Sequence, residues 1–136
     1  MFAWKSEYVT GITFIDEQHK MLFDIANKAF DIYKNDLILD KYDRIMEVIE
    51  ELEDYTKYHF GEEEKFMLNN KYKKFFSHKV QHDELINDLA NMKLKEIDKN
   101  QDKALLEILN FVLEWIQNHI LKTDLGMTVE IKKNLL

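Results

Sequence analysis

The chain has 136 residues, a formal net charge of −7 and no cysteine. This length suits one domain with a buried core, and the lack of cysteine excludes disulfides and thiolate metal sites. An acidic protein repels phosphates, so we expect neither nucleic acid nor a membrane surface as a partner. No apolar run approaches the ~20 residues of a membrane-spanning helix, and Met1 to Thr10 lacks the apolar core of a signal peptide. We therefore expect a cytoplasmic protein.

Residues that break regular structure are scarce, which favours long helices. The chain has no proline and only three glycines, the two residues that most weaken a helix interior. Apolar residues recur at alternating steps of three and four, which is typical of a helix that packs one face against others. Four such stripes follow one another. In chain order they are Ile15, His19, Leu22, Ala26, Ala29 and Tyr33; Ile45, Ile49, Leu52, Thr56, His59, Glu63 and Phe66; Phe75, His78, His82, Leu85, Leu89 and Met92; and Leu105, Leu109, Val112, Ile116 and His119.

Short polar breaks separate the stripes and set the topology. The breaks are Asn35-Asp36, Asn69-Asn70-Lys71 and Lys99-Asn100-Gln101-Asp102. Asp40 and Asp102 are candidate caps of the helices that follow them. Because short loops make sequential helices antiparallel neighbours, we predict an all-α, antiparallel up-down-up-down four-helix bundle that forms a single domain over 1–136. The aromatic-rich segment 1–15 predicts an N-terminal arm along a bundle that spans about 16–133.

Six residues that could bind a metal ion lie on these core-facing stripes, five of them histidines. They are His19, His59, Glu63, His78, His82 and His119. A lone histidine on such a face is usually a core residue with a satisfied hydrogen bond. Burying polar groups without partners costs about 1–3 kcal/mol each, and more for a carboxylate. A metal centre satisfies all six together.

The spacing of these residues supports a shared site. His59 and Glu63 are four residues apart, as are His78 and His82, so each pair projects from one helix face. The two pairs lie at similar numbers of residues before and after Asn70, which lies in the break between their helices. If those helices are antiparallel, the two pairs therefore lie at the same depth in the bundle. The histidines of the first and fourth stripes lie at the helix ends that meet in this layer. The sequence therefore predicts that the polar residues converge at one level of the bundle.

Asp124 is a seventh candidate, and its spacing leaves two interpretations open. It follows His119 by five residues, which turn an ideal helix by about 500° and leave the two side chains about 140° apart. Both reach one centre only if the helix widens locally or ends near Leu121. Otherwise Asp124 is a surface residue. Gly126, two residues later, favours irregular backbone here.

Seven donors of this kind narrow the choice of metal. They exceed the needs of one tetrahedral zinc, and calcium and magnesium prefer oxygen ligands. Imidazole with carboxylate suits iron, manganese, copper or zinc. The residues by themselves predict two transition metal ions and leave their identity open.

The full pattern resembles the hemerythrins, specifically their single-domain bacterial and archaeal type. The matching motifs are His19, His59-Phe60-x-x-Glu63, His78-x-x-x-His82 and His119-x-x-x-x-Asp124, together with Trp4, Gly11-Ile12, Ile15-Asp16-x-Gln18-His19 and Trp115 to Asp124. The similarity covers essentially the whole chain and matches every ligand position. One departure is Lys73, where many relatives have proline, and it affects a loop rather than the site.

The resemblance implies two iron ions (Fe²⁺/Fe³⁺) and an assignment of their ligands. The ligands of a coordinatively filled iron would be His78, His82 and His119. The ligands of a second iron, with one position open for dioxygen, would be His19 and His59. The bridges between the irons would be Glu63, Asp124 and a hydroxide or oxide.

From this resemblance we expect a monomer that binds dioxygen reversibly, as a carrier or store, and is not an enzyme. The alternatives are an oxygen sensor that acts through a separate partner, a di-iron enzyme that reacts with peroxide or nitric oxide, and an iron-buffering protein. By resemblance, Trp115, Ile116 and Leu121 would line a dry dioxygen pocket. Leu22 and Phe23 are better interpreted as core packing.

Overall fold

The computed structural model describes residues 3–35, 37, 41–96 and 101–135, which are almost entirely helical. In chain order the elements are a 3-10 turn at Ser6–Tyr8, α1 at Thr13–Lys34, α2 at Lys41–Asn69, α3 at Phe75–Glu96, α4 at Gln101–His119, a π-helical turn at Ile120–Asp124 and α5 at Leu125–Leu135. The last three elements run into one another without a break, so they form a single fourth rod. No strand occurs within these described ranges.

The four rods pack as the predicted all-α up-down-up-down bundle. α1 packs along α2, α2 along α3, and α3 along α4, and the short connections make each of these pairs antiparallel. α4 also contacts α1 and α2, which closes the bundle. None of the described helices is long and apolar enough to cross a membrane.

The predicted stripes face the interior, and a few members lie at its edge. The partly buried members are Tyr33, Phe66, Phe75 and Met92. The other described members are buried. Leu105 and the candidate caps Asp40 and Asp102 lie outside the described side chains. The periodicity therefore identified the inner face of every rod.

A layer of polar side chains divides the core into two apolar clusters. The larger cluster has buried residues from all four rods, among them Leu22, Leu52, Leu89 and Ile116. The smaller cluster consists of Ile15, Met67, Met127 and Ile131. Along α1, His19 lies between Ile15 of the smaller cluster and Leu22 of the larger one. Because apolar side chains enclose the layer on both sides, its polar atoms must find their partners within it.

The aromatic residues of the N-terminal arm pack on the larger cluster. Tyr8 is buried there, and Trp4 packs edge-on against Phe23 with the ring centroids 5.7 Å apart. The centroids of the Tyr8 and Phe23 rings are 5.5 Å apart. The arm therefore covers the side of α1 that carries His19.

Polar contacts fix the end of the arm to the bundle. The carboxylate of Asp16 accepts hydrogen bonds from the backbone N–H groups of Thr10 and Gly11 and from the Thr10 hydroxyl. The ammonium group of Lys132 donates to the Thr10 carbonyl. Gly11 has a φ of +84°, a backbone conformation that residues with a side chain rarely adopt, so glycine is favoured at this position. α1 begins at Thr13, inside the segment predicted as arm.

α2 ends in a turn that favours glycine but carries Lys71. The backbone N–H of Tyr72 donates to the Met67 carbonyl at 2.9 Å, and that of Lys71 to the Leu68 carbonyl at 3.1 Å. This pair of bonds is a Schellman motif, with Lys71 at the left-handed position and a φ of +52°. A side chain at this position costs roughly 1–2 kcal/mol.

Lys71→Gly should raise the free energy of unfolding by about 0.5–1 kcal/mol, because glycine adopts a positive φ without a steric penalty. Equilibrium denaturation in urea measures the change. Lys73→Gly is the matched control, since Lys73 lies in the same turn without a positive φ, and it should be neutral or slightly destabilising. Equal effects of the two substitutions would contradict this explanation.

Candidate metal centre

Seven polar side chains from the four rods meet in the layer between the apolar clusters. Each is at most 6% exposed. They are His19 from α1, His59 and Glu63 from α2, His78 and His82 from α3, and His119 and Asp124 from the fourth rod. The structure therefore brings together all seven donors singled out in the sequence.

Three histidines lie around a pair of carboxylate oxygens, one from Glu63 and one from Asp124, and each oxygen is close to two of these histidines. Glu63 Oε1 lies 2.8 Å from His78 Nε2 and 3.2 Å from His82 Nε2. Asp124 Oδ1 lies 2.9 Å from His78 Nε2 and 3.1 Å from His119 Nε2. The Nε2 atom of His119 is also 3.0 Å from that of His78 and 3.1 Å from that of His82. These five residues form the three-histidine group, whose donor atoms are close enough to surround one metal ion.

The other two histidines gather around the remaining carboxylate oxygens. Asp124 Oδ2 lies 3.1 Å from His19 Nε2. Glu63 Oε2 lies 3.2 Å from His59 Nε2 and 3.9 Å from His19 Nε2. With the two carboxylates, these residues form the two-histidine group of four donors. Each carboxylate thus directs one oxygen to each group, which is the geometry of a bridge.

A widened helical turn brings Asp124 to the same layer as His119. The backbone N–H of Leu125 donates to the Ile120 carbonyl, the bond of a π-helix, and α-helical dihedral angles flank the turn on both sides. A π turn accommodates an extra residue, so side chains five positions apart can share one face. Of the two ways in which the spacing allowed both side chains to meet, the structure shows local widening.

In three of the imidazoles, Nε2 faces the carboxylates and Nδ1 contacts a side chain from the preceding helix. The pairs are His59 Nδ1 with Gln18 Oε1 at 2.7 Å, His82 Nδ1 with Glu64 Oε2 at 2.9 Å and His119 Nδ1 with Gln81 Oε1 at 3.0 Å. The hydroxyl of Thr123 also donates to Gln81 Oε1, at 3.0 Å. Each of the first three helices therefore provides a side chain that holds an imidazole of the following helix or rod in place.

Sequence reasoning missed these three partners. A glutamine or glutamate at the edge of an apolar stripe looks like ordinary surface. A signal was nevertheless present, because each partner directly adjoins a buried donor in the chain: Gln18 beside His19, Glu64 beside Glu63, and Gln81 beside His82.

These hydrogen bonds decide which ring nitrogen faces the centre without a proton. An imidazole whose Nδ1–H donates to an oxygen leaves a lone pair on Nε2. His82 and His119 therefore direct two such lone pairs toward each other across 3.1 Å, an arrangement that a cation between them stabilises. Both oxygens of Glu63 and of Asp124 also lack a hydrogen bond of good geometry within the described residues. The donor set thus fits metal ions that accept imidazole and carboxylate together.

The electrostatics of the layer favour bound positive charge. Burial and the neighbouring Asp124 raise the pKa of Glu63, but the three closest imidazoles outweigh both and hold that pKa below its ordinary value. Burial lowers the pKa of His78, yet its contacts with Asp124 and Glu63 outweigh burial and raise it to about 9. Burial also raises the pKa of Asp124, but its contacts with His119, His19 and His78 outweigh burial and hold that pKa well below its ordinary value, so both carboxylates are held as anions.

Aromatic rings cover two imidazoles of the three-histidine group. Phe60 stacks on His82 with the ring centroids 3.8 Å apart and the planes at 3°. Trp115 stacks on His119 with centroids 4.4 Å apart and an angle of 15°. The two aromatic rings are themselves 5.7 Å apart. Together they form a continuous wall that restricts the rotation of both imidazoles.

The three residues predicted to line a dioxygen pocket take different positions. Trp115 lies in the wall just described, and Ile116 is 3% exposed in the larger apolar cluster. Leu121 is 39% exposed, which disagrees with a place in a sealed pocket. The widened turn buries Ile120 and Asp124 and leaves Leu121 on the outer side. Leu22 and Phe23 are buried in the larger cluster, in agreement with core packing.

The bundle and its donors define a helical protein of the histidine–carboxylate metal-binding class. Residues 10–128 match the sequence profile of the hemerythrin HHE cation binding domain. The chain is 48% identical over 124 residues to the bacteriohemerythrin of Clostridium acetobutylicum, covering 91% of this chain and 96% of that protein. It is 33% identical over 129 residues to the bacteriohemerythrin of Methylococcus capsulatus, covering 91% and 92%. The chain belongs to the hemerythrin family of non-haem di-iron, oxygen-binding proteins, which confirms the resemblance.

Glu63→Ala should abolish metal retention and destabilise the protein by about 3 kcal/mol or more, because it removes a buried charge that contacts histidines of both groups. Elemental analysis and thermal melting measure the two effects. The matched control is Glu62→Ala, since Glu62 pairs with Lys65 at the surface and should change stability by about 0.5 kcal/mol at most. Full metal content in the Glu63 variant would contradict a bridging role.

Proposed function

We propose that the protein binds dioxygen reversibly, as a carrier or store, at two iron ions held by the seven buried side chains. The main support is the inequality of the two donor groups, which offer five and four donors. If the ions also share one solvent-derived bridge (oxide or hydroxide), five donors complete six-fold coordination of one ion. Four donors leave one position of the other ion open. An open position inside a buried layer suits a small, neutral ligand.

The proposed roles of the side chains follow from the two groups. The ligands of the filled ion are His78, His82 and His119. The ligands of the ion with the open position are His19 and His59. The bridges are Glu63 and Asp124. The chemistry that a bound di-iron pair supplies is reversible two-electron exchange with dioxygen.

The protein contributes a dry, low-dielectric surrounding. The seven donors are at most 6% exposed, and the stacked rings of Phe60 and Trp115 shield two of them. Bringing an additional charge into such a layer carries a large desolvation penalty. A neutral ligand such as dioxygen avoids that penalty, whereas a charged substrate does not. By resemblance, Trp115 and Ile116 stay proposed pocket residues. Leu121 is 39% exposed, which does not suit a residue of a sealed pocket.

The composition of the donor set favours ligand binding over substrate oxidation. Carboxylate-rich di-iron proteins of the ferritin-like type use glutamates together with Glu-x-x-His motifs. None of the five histidines in this chain has a glutamate three positions before it. Five neutral imidazoles stabilise high-valent iron less than additional carboxylates do, so we propose that the protein is not an enzyme. The cytoplasmic location, the monomeric state and the lack of nucleic-acid and membrane partners stay predictions.

The protein purified in air after growth with iron should contain two irons per chain and show near-ultraviolet and visible charge-transfer bands of a bridged diferric centre. Anaerobic reduction should remove the bands, dioxygen should restore them, and removing dioxygen should abolish them again over repeated cycles. Optical spectroscopy with iron analysis makes the measurement.

Four results would count against this function. A colourless protein with stoichiometric zinc would contradict the iron centre. Irreversible oxidation at the first exposure to dioxygen would favour a sensor that acts through a separate partner. Sustained turnover of peroxide or nitric oxide with an electron donor would favour an enzyme, and many irons per chain would favour iron buffering.

A further inference from the structure

Only one of the three residues that hold an imidazole at Nδ1 carries a charge. Gln18 and Gln81 present neutral amide oxygens to His59 and His119. Glu64 presents a carboxylate oxygen to His82 at 2.9 Å. The three-histidine group therefore has a negative charge directly behind one of its rings, and the two-histidine group has none among the described contacts.

Among the described residues, Glu64 has one ion pair with a lysine, and this pair is long. Lys79 Nζ lies 3.8 Å from Glu64 Oε1. Lys79 instead donates to both carboxylate oxygens of Asp83, at 3.1 and 3.2 Å. The side chain of Glu64 is 18% exposed, so solvent screens its charge only in part. Of the two contacts described for the Glu64 carboxylate, the one to His82, at 2.9 Å, is the shorter.

We propose that Glu64 is a positioning residue that fixes the ring of His82 and makes the metal ion of the three-histidine group the more tightly held and the more readily oxidised of the two. A carboxylate that accepts the Nδ1–H bond of an imidazole makes Nε2 a stronger donor. A stronger donor stabilises the higher charge of a ferric ion more than that of a ferrous ion. This inference rests on the proposed metal centre but not on dioxygen as its ligand.

Charge and geometry can be separated at this position. In Glu64→Gln an amide oxygen can still accept the Nδ1–H bond, and Phe60 still stacks on His82, so the ring stays in place while the charge is lost. The reciprocal substitution is Gln81→Glu, which puts a carboxylate behind His119 in the same three-histidine group. The double variant moves the charge from one ring of this group to another.

Stepwise anaerobic reduction of the iron-loaded protein with dithionite, in the presence of redox mediators of known potential and followed through the charge-transfer bands, measures the reduction potential of each variant. Partners of this kind typically change metal affinity 10–100-fold. We expect Glu64→Gln to lower the preference for ferric over ferrous iron about tenfold, which raises the potential by about 59 mV. Gln81→Glu should lower the potential, and the double variant should return close to the wild-type value. Glu62→Gln removes a charge from the neighbouring surface position and should have no effect.

The outcomes distinguish this inference from the proposed function. Unchanged potentials in both Glu64→Gln and Gln81→Glu, with two irons bound, would overturn the role of Glu64 alone. Failure of the wild-type protein to hold two irons would overturn the metal centre and this inference together. Shifted potentials in a protein that does not release dioxygen would support the role of Glu64 and contradict the carrier function.

Discussion

The polar layer depends on two buried carboxylates, each of which must contact histidines of both groups. Glu63 and Asp124 lie within 2.8–3.9 Å of imidazoles from every rod of the bundle. Sliding one helix by a turn moves its side chains by about 5.4 Å, which breaks these contacts and leaves a buried charge unpaired, at a cost of about 3–5 kcal/mol. The apolar clusters hold the helices together, whereas the polar layer sets their register.

The irregular turn in the fourth rod follows from the same constraint. A continuous α-helix places either His119 or Asp124 at the centre, but not both. The π turn at Ile120–Asp124 resolves this conflict. Beyond it the rod returns to α-helical geometry, and Met127 and Ile131 complete the smaller apolar cluster. A local departure from regular backbone therefore adds a seventh donor without disturbing the packing on either side.

The sequence predicts the bundle and the convergence of the donors because both follow from periodicity and depth. Steps of three and four identify the buried faces, and counting from Asn70 aligns the pairs on α2 and α3. The π turn could be named only as one possibility, since the five-residue spacing does not distinguish a widened helix from a helix that ends near Leu121 or from a surface aspartate. Gln18, Glu64 and Gln81 were missed because hydropathy separates inside from outside but does not show which ring a boundary residue meets. That contact depends on how two helices are rotated about their axes, whereas the exposure of Leu121 follows from the widened turn.

Anomalous diffraction at the iron absorption edge, from crystals of protein purified in air, tests the shared-carboxylate arrangement most directly. We predict two peaks about 3.5–4 Å apart, one beside the three-histidine group and one beside the two-histidine group, with Glu63 and Asp124 each contacting both. A single peak, or two peaks that do not share these carboxylates, would contradict the account.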